Sequence, residues 1–307
     1  MKQLVLSKGF KPHLAGLPDM SLITLPEPET VALSAADIPF VRPRVLVKEN
    51  DTVLIGTPLI CDKRDDRIKY VSPGNGRVKQ IVFGPRRKLI EIIIALDKNK
   101  RHGLDGAEKS VRFEPVQEDA IHDMDPADIA ARLQEGGLWP CFRQFPSRDT
   151  ADDSQRPPMI IVAMNGNDPS APHPGLVLEN EIPFFETGLN LLQRLTDRIV
   201  VAARSASMER LGAAASHVTH QVPDFYPSWD PGVVLYQLKS SVEENRSWTI
   251  SAEHLALVAR FLLSGTYPVR RVITVNRPDD KKPHIVTRQG APIKDIVGRI
   301  PGGTLLT

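Results

Sequence analysis

The chain has 307 residues, of which 25% are charged and 41% hydrophobic, with a formal net charge of +2. This size implies two or three domains with ample material for buried cores, and the near-neutral balance gives no electrostatic case for nucleic acid. The two cysteines, Cys61 and Cys141, exclude a disulfide framework and a cysteine-rich iron–sulfur site, and no apolar run reaches the roughly twenty residues that span a bilayer.

Residues 1–30 read as an extended N-terminal arm, with a strand-like Leu4-Val5-Leu6 followed by proline-broken segments. The opening MKQLVLSKGFKPHLAG is too short in its apolar part for a signal peptide, so a cytoplasmic chain is expected. Residues 31–98 read as a β domain. Its centre, Val45 to Phe83, contains two similar halves of β-branched strand residues between turns: Asn50-Asp51 and Gly56-Thr57-Pro58 in the first, Ser72-Pro73-Gly74-Asn75-Gly76 in the second. Two such halves have the sequence shape of the barrel-sandwich hybrid, the fold of biotinyl and lipoyl carrier domains. A carrier needs a lysine at the tip of the hairpin joining the halves. Counting back from Ser72-Pro73 puts the tip near Asp65, flanked by Arg64 and Asp66 instead of the methionines of biotin carriers, with Lys63 two positions away. The fold is therefore expected as scaffold. The run Leu89 to Leu96 predicts a buried strand.

Residues 99–157 read as a helical connector and linker. Asp125 as N-cap, Pro126 at the first helical position and Gly136-Gly137 as the stop predict one helix, followed by a polar stretch to Pro158. Residues 158–267 alternate strand and helix, which predicts a Rossmann-like α/β domain. Strands are expected at Met159–Met164, Ile199–Ala202, Val218–Val222 and Val233–Leu238. Helices are expected at Ile182–Leu195, at Ala206–Ala215, and after Ser251 up to Gly265. Residues 268–307 predict strands at Val269–Val275 and His284–Val286 around the loop Arg277 to Lys282, a short helix near Pro292–Val297 and a turn at Pro301-Gly302-Gly303. Such a unit needs more strands than residues up to Thr307 supply, so it reads as an incomplete β-grasp domain.

The α/β pattern invites a nucleotide, but Asn165-Gly166-Asn167-Asp168-Pro169-Ser170 is no glycine-rich fingerprint, and no Walker sequence occurs. His217 and His220 are three apart, yet the strand-like segment around them points the rings to opposite faces. No Gly-x-Ser-x-Gly elbow is present, and the Asp-Asp pairs at 65–66, 152–153 and 279–280 sit in polar loops. Gly137 to Phe145 (GLWPCFRQF) concentrates one tryptophan, two phenylalanines and an arginine after a helix stop. It reads as an aromatic plug between domains, or as a pocket edge for a flat ligand such as a quinone head group, lined by Trp139 and Phe142 and oriented by Arg143. Asp224 to Gly232 (DFYPSWDPG) reads the same way.

In order along the chain, a set of short motifs resembles the NqrA family, one subunit of the sodium-translocating NADH:quinone oxidoreductase. These are Lys8-Gly9, Ala15-Gly16, Val31-Ala32-Leu33, Arg42-Pro43, Val47 to Asp51, Lys69 to Pro73 with Gly76, Gly137-Leu138-Trp139 with Phe142-Arg143, and Val162-Ala163-Met164 before Asn167 and Pro169. Gly188-Leu189, Phe261-Leu262 with Gly265, Arg270-Arg271-Val272 and Lys282-Pro283 complete the set. The resemblance implies a biotinyl/lipoyl-like barrel-sandwich hybrid, a Rossmann-like domain related to the flavin-binding subunit of complex I, and the start of a β-grasp (SLBB-like) domain. It implies a subunit that is peripheral on the bacterial inner membrane, facing the cytoplasm and docked on membrane subunits. There, NADH and flavins would serve electron transfer in partner subunits, sodium would be exported, and this chain would hold no tight cofactor but contact ubiquinone.

Two departures qualify the resemblance. Asp230-Pro231-Gly232 stands where members carry His-Pro-Ala-Gly, and members continue well beyond residue 307. The corresponding subunit of the electron-transport complex that couples ferredoxin to NAD shares these domains, but its cysteine clusters and nucleotide site have no counterpart here. A diverged stand-alone binding or scaffold paralogue is the alternative from another class.

Overall fold

The computed structural model describes residues 1–6, 8–11, 18–97, 109–166, 171–275 and 282–298. The strands are β1 (Lys2–Gln3), β2 (Pro18–Thr24), β3 (Thr30–Ser34), β4 (Pro43–Val45), β5 (Thr52–Val53), β6 (Pro58–Asp62), β7 (Asp65–Val71), β8 (Gly76–Phe83) and β9 (Leu89–Leu96). After helix α1 (Pro126–Glu135) come β10 (Arg143–Gln144), β11 (Asp149–Thr150), β12 (Ile160–Ala163), α2 (Pro174–Val177), α3 (Ile182–Leu195), β13 (Ile199–Arg204) and β14 (His220–Val222). The chain continues through α4 (Pro231–Leu238), β15 (Trp248–Ser251), α5 (Ala252–Ser264), β16 (Arg270–Thr274), β17 (Lys282–Arg288) and α6 (Ile293–Val297).

The chain forms two compact units, each discontinuous in sequence: residues 1–16 with 113–266, and residues 17–112 with 267–307. This grouping differs from the linear partition read from the sequence. The arm is divided, because β1 pairs with β14 whereas β2 pairs with β17. The connector supplies β10 and β11 to the α/β sheet, and residues 267–298 join the β unit.

In the β unit, the sheet β3-β9-β8-β5 faces the sheet β4-β6-β7. Alternation puts Val31 and Leu33 of β3, Val78 of β8, and Ile92 and Ile94 of β9 into one core with Leu59 and Ile60 of β6. The hairpin joining the two halves turns at Lys63-Arg64, with Asp62 opposite Asp65, and not at Asp65 as the count predicted. Register irregularities between Pro58 and Ile60 and between Cys61 and Asp62 absorb the two-residue discrepancy. The third sheet of this unit, β16-β17-β2, is pinned by Arg288. Its Nε lies 2.7 Å from Glu27 and its Nη1 donates to the Pro73 carbonyl at 3.1 Å.

The α/β unit carries the sheet β1-β14-β13-β12-β15-β10-β11. Its inner strands β14-β13-β12-β15 are parallel, and β10 and β11 are antiparallel additions at one edge. Helices α1, α3 and α5 start and stop where the sequence places them. The Asp125 side chain accepts from the Ala127 amide and the Ser251 hydroxyl from the His254 amide, while Gly265 closes α5 at φ 64. A Cβ at Gly265 would stand 2.2 Å from the Phe113 carbonyl oxygen, so only glycine fits there. Two local expectations fail. Val233–Leu238 is the helix α4 and not a strand, capped by Asp230 with Pro231 at its first position. Ala206–Ala215 falls in two short 3-10 helices, Ser205–Arg210 and Gly212–His217. The loop Arg277 to Lys281 and the turn at Pro301 lie outside the described residues.

Candidate functional site

The Gly137 block is built directly on the end of α1. Gly137 takes φ 72, the amide of Leu138 donates to the Leu133 carbonyl, and a 3-10 turn from Trp139 to Cys141 leads into β10. Trp139 is 1% exposed and Phe142 fully buried. Their rings lie 5.2 Å apart, and the Trp139 ring meets Trp248 edge-on at 5.6 Å. The indole N–H donates to the Ala151 carbonyl at 2.9 Å, so the one polar atom of the cluster is satisfied. The two predicted rings thus come together as an aromatic core inside the α/β unit, with no ring face open to solvent.

Arg143 is separated from them. Phe142 packs against Trp248, and Trp248 is the register partner of Gln144, which puts these three on one face of the sheet. Strand alternation sends Arg143 to the other face, between its neighbours Thr150 and Thr249. There the Nη1 of Arg143 is fully buried and has no acceptor among the described residues. A buried guanidinium nitrogen without an acceptor forfeits hydration with nothing in return, a cost of about 1–3 kcal/mol or more. Sequence clustering located this arginine, but its isolation follows from the sheet register and could not be read from the sequence.

The second aromatic segment is also interior. Trp229 is buried, with Arg204 stacked 4.3 Å above its ring and Tyr226 edge-on at 5.9 Å. The Ser228 hydroxyl bonds to the Pro223 and Phe225 carbonyls. Asp230 bonds to Arg148 and accepts from the Gly232 amide, so Asp230-Pro231-Gly232 acts as a helix start.

Connections diverge between β12 and β15, the place where open parallel sheets bind ligands. Asn165, just after β12, donates from Nδ2 to Ser207 at 2.9 Å and accepts the Arg204 amide at 3.0 Å. It ties the neighbouring loop down and offers no free amide to a phosphate; Asn167 to Ser170 lie outside the described residues. His217 sits 2.9 Å from Glu186 at the end of a 3-10 helix. His220 lies within β14, where burial, aided by Lys2 and Arg198, holds its pKa below the usual imidazole value. Among the described residues, no three His, Cys, Asp or Glu side chains gather as a metal site, and no helix is long and apolar enough to cross a membrane.

At the hairpin tip of the β unit, the Lys63 amide donates to the Arg42 carbonyl and its side chain is exposed. Asp62 is buried beneath it and holds Arg64 at 2.6 Å. Burial alone would raise the Asp62 pKa, but the Arg64 guanidinium and the amides of Arg64 and Arg42 outweigh it and hold the carboxyl below its ordinary value.

Residues 4–97 match the family model of the NqrA N-terminal barrel-sandwich hybrid domain, and residues 124–267 that of the NqrA second alpha/beta domain. The chain belongs to the NqrA family. The NqrA-type sandwich and α/β domain are the fold classes expected from the sequence. Similar proteins, each named as the NqrA-type subunit of Na(+)-translocating NADH-quinone reductase, include those of Marinomonas sp. (25% identical), Rhodopirellula baltica (28%) and Klebsiella pneumoniae (27%), each similarity covering 95% of this chain. The chain spans only 63–64% of the length of these NqrA relatives.

Proposed function

We propose that this chain acts as a peripheral, cytoplasm-facing subunit of a Na+-translocating NADH:quinone reductase, contributing docking surface and quinone contact. Electrons would pass from NADH through flavins held by other subunits while sodium is exported. This chain would hold no tight redox cofactor. The observation that carries the quinone reading is Arg143, whose Nη1 is buried without an acceptor. A quinone carbonyl is a neutral acceptor able to take that N–H, and a hydrogen bond from a charged donor contributes about 1.5–3 kcal/mol. Trp139 and Phe142 act from behind the sheet, fixing the start of β10 and with it the base of the Arg143 side chain.

The test is a titration of the full chain with a short-tailed ubiquinone, followed by tryptophan fluorescence. Saturable quenching is expected, weakened about tenfold or more in Arg143→Gln. Absence of saturation, or equal affinity in the variant, overturns the quinone contact. Co-purification with membrane subunits from the native cell tests the docking role separately.

A second reading rests on Lys63 at the tip of the hairpin joining the sandwich halves, the position carriers use. Its Nζ would attack an acyl adenylate, forming an amide as AMP leaves and the ammonium proton passes to solvent. An intact mass of native protein larger by one lipoyl or biotinyl group, and localised to Lys63, supports it. An unmodified mass removes it.

A further inference from the structure

One end of the four-stranded sheet of the β unit has a surface unlike the rest of that domain. Strands β8 and β9 are joined there by Gly84-Pro85-Arg86-Arg87-Lys88, closed by the Gly84 amide on the Lys88 carbonyl at 2.8 Å. Arg86 and Arg87 both take φ 56, the left-handed region that glycine and asparagine occupy at least cost. Two arginines where the backbone favours glycine indicate that side-chain charge, and not turn geometry, determines this sequence. All three cations are exposed, and none pairs with a carboxylate among the described residues.

Exposed aromatic rings accompany them. Phe83, the last residue of β8, is 49% exposed. Ser34 at the end of β3 stands opposite Glu91, and the amides of Ala35 and Ala36 both donate to the Ile90 carbonyl. The loop that follows β3 therefore leaves the sheet at the same end as the β8–β9 tip. It carries Phe40, 54% exposed and itself at φ 66. The acids at this end are Asp37, which accepts the Ser34 hydroxyl at 2.5 Å, and Glu91 on the adjoining register position. Neither neutralises the tip.

We propose that this end of the sheet, Phe40 and Phe83 with Arg86, Arg87 and Lys88, is a contact surface for an anionic lipid bilayer. Aromatic rings partition into the headgroup region, and cations beside them gain from the negative surface potential. Nearly half-exposed phenylalanines next to unpaired cations meet both requirements. A purely acidic protein partner would use the charges but leave the two rings without an apolar counterpart.

The experiment is flotation of the full chain with vesicles of phosphatidylcholine alone or mixed with phosphatidylglycerol, at low and high salt. Binding is expected only to the anionic vesicles and weakens with salt. Each cation contributes about fivefold, so Arg86→Gln/Arg87→Gln/Lys88→Gln lowers binding roughly a hundredfold. Phe40→Ser/Phe83→Ser lowers it while leaving the salt dependence in place. If the wild-type chain ignores anionic vesicles, or the triple variant binds them equally, the proposal is overturned. Loss in the charge variant with no change in the ring variant also overturns it, leaving a plain electrostatic patch suited to an acidic protein. The quinone titration reads Arg143 in the other unit, so either proposal can fail alone.

Discussion

Two arginines, one in each unit, show how the same side chain serves opposite ends. Arg288 is 1% exposed at its side chain and fully engaged, with two bonds to Glu27 and one to the Pro73 carbonyl. Arg143 has a buried nitrogen and no acceptor. A buried cation with a complete set of partners belongs to the architecture. One lacking them marks a place where a group from outside completes the set.

The contrast can be broken most directly at Arg288. Arg288→Ala leaves Glu27 as an uncompensated, largely buried charge and should cost about 3–5 kcal/mol in denaturant unfolding of the β unit. A loss below about 1 kcal/mol would remove Arg288 from the architecture. Next comes Trp139→Phe, which loses the indole bond to Ala151 and leaves a small void. About 2 kcal/mol of destabilisation is expected, with the midpoint of the α/β unit falling and that of the β unit unchanged.

Asp62 supplies a smaller, pH-dependent case. Its folded pKa is depressed, so its contribution is present above the ordinary carboxylate value of 3.8 and disappears as the pH falls through the lower folded value. Arg64 is 39% exposed, so water screens the pair and Asp62→Asn should cost about 1 kcal/mol at neutral pH. Acid unfolding curves of variant and wild type should converge at the lowest pH, and a gap that stays constant would locate the effect elsewhere. The smallest stability change belongs to Arg143→Gln, within about 0.5 kcal/mol or slightly stabilising, because no bond within the chain is lost. A loss comparable to that of Arg288→Ala would show that Arg143 is structural after all and end the contrast.

Local chemistry made much of the fold legible. Asp125-Pro126 and Ser251 with Gly265 predict the ends of α1 and α5 because caps depend on near neighbours alone. The same Asp-Pro signal stands at Asp230-Pro231, yet the β-branched pair Val233-Val234 favoured a strand and the helix α4 was missed; the cap was the better guide. The hairpin tip was misplaced because bulges change the residue count without changing composition. The site was legible only in part. GLWPCFRQF names the residues that matter, but which face of the sheet each side chain takes depends on the pairing of β10 with β15, strands that lie far apart in sequence. Phe40 and Phe83 gave no signal, since exposure of a single phenylalanine is a property of tertiary packing.

The pairing of β2 with β17 has a consequence for how the chain is made. Pro18–Thr24 finds its partner only in Lys282–Arg288, far along the sequence. At ribosomal speeds of about 5–20 residues per second, that strand waits roughly fifteen to fifty seconds for a template. The sandwich strands from Thr30 to Leu96 emerge together and can close early, whereas β2 stays an unpaired edge open to association with other nascent chains. Ribosome-bound intermediates of this protein should therefore recruit holdase chaperones to the segment around Leu22 and Ile23 until Arg288 has left the ribosome.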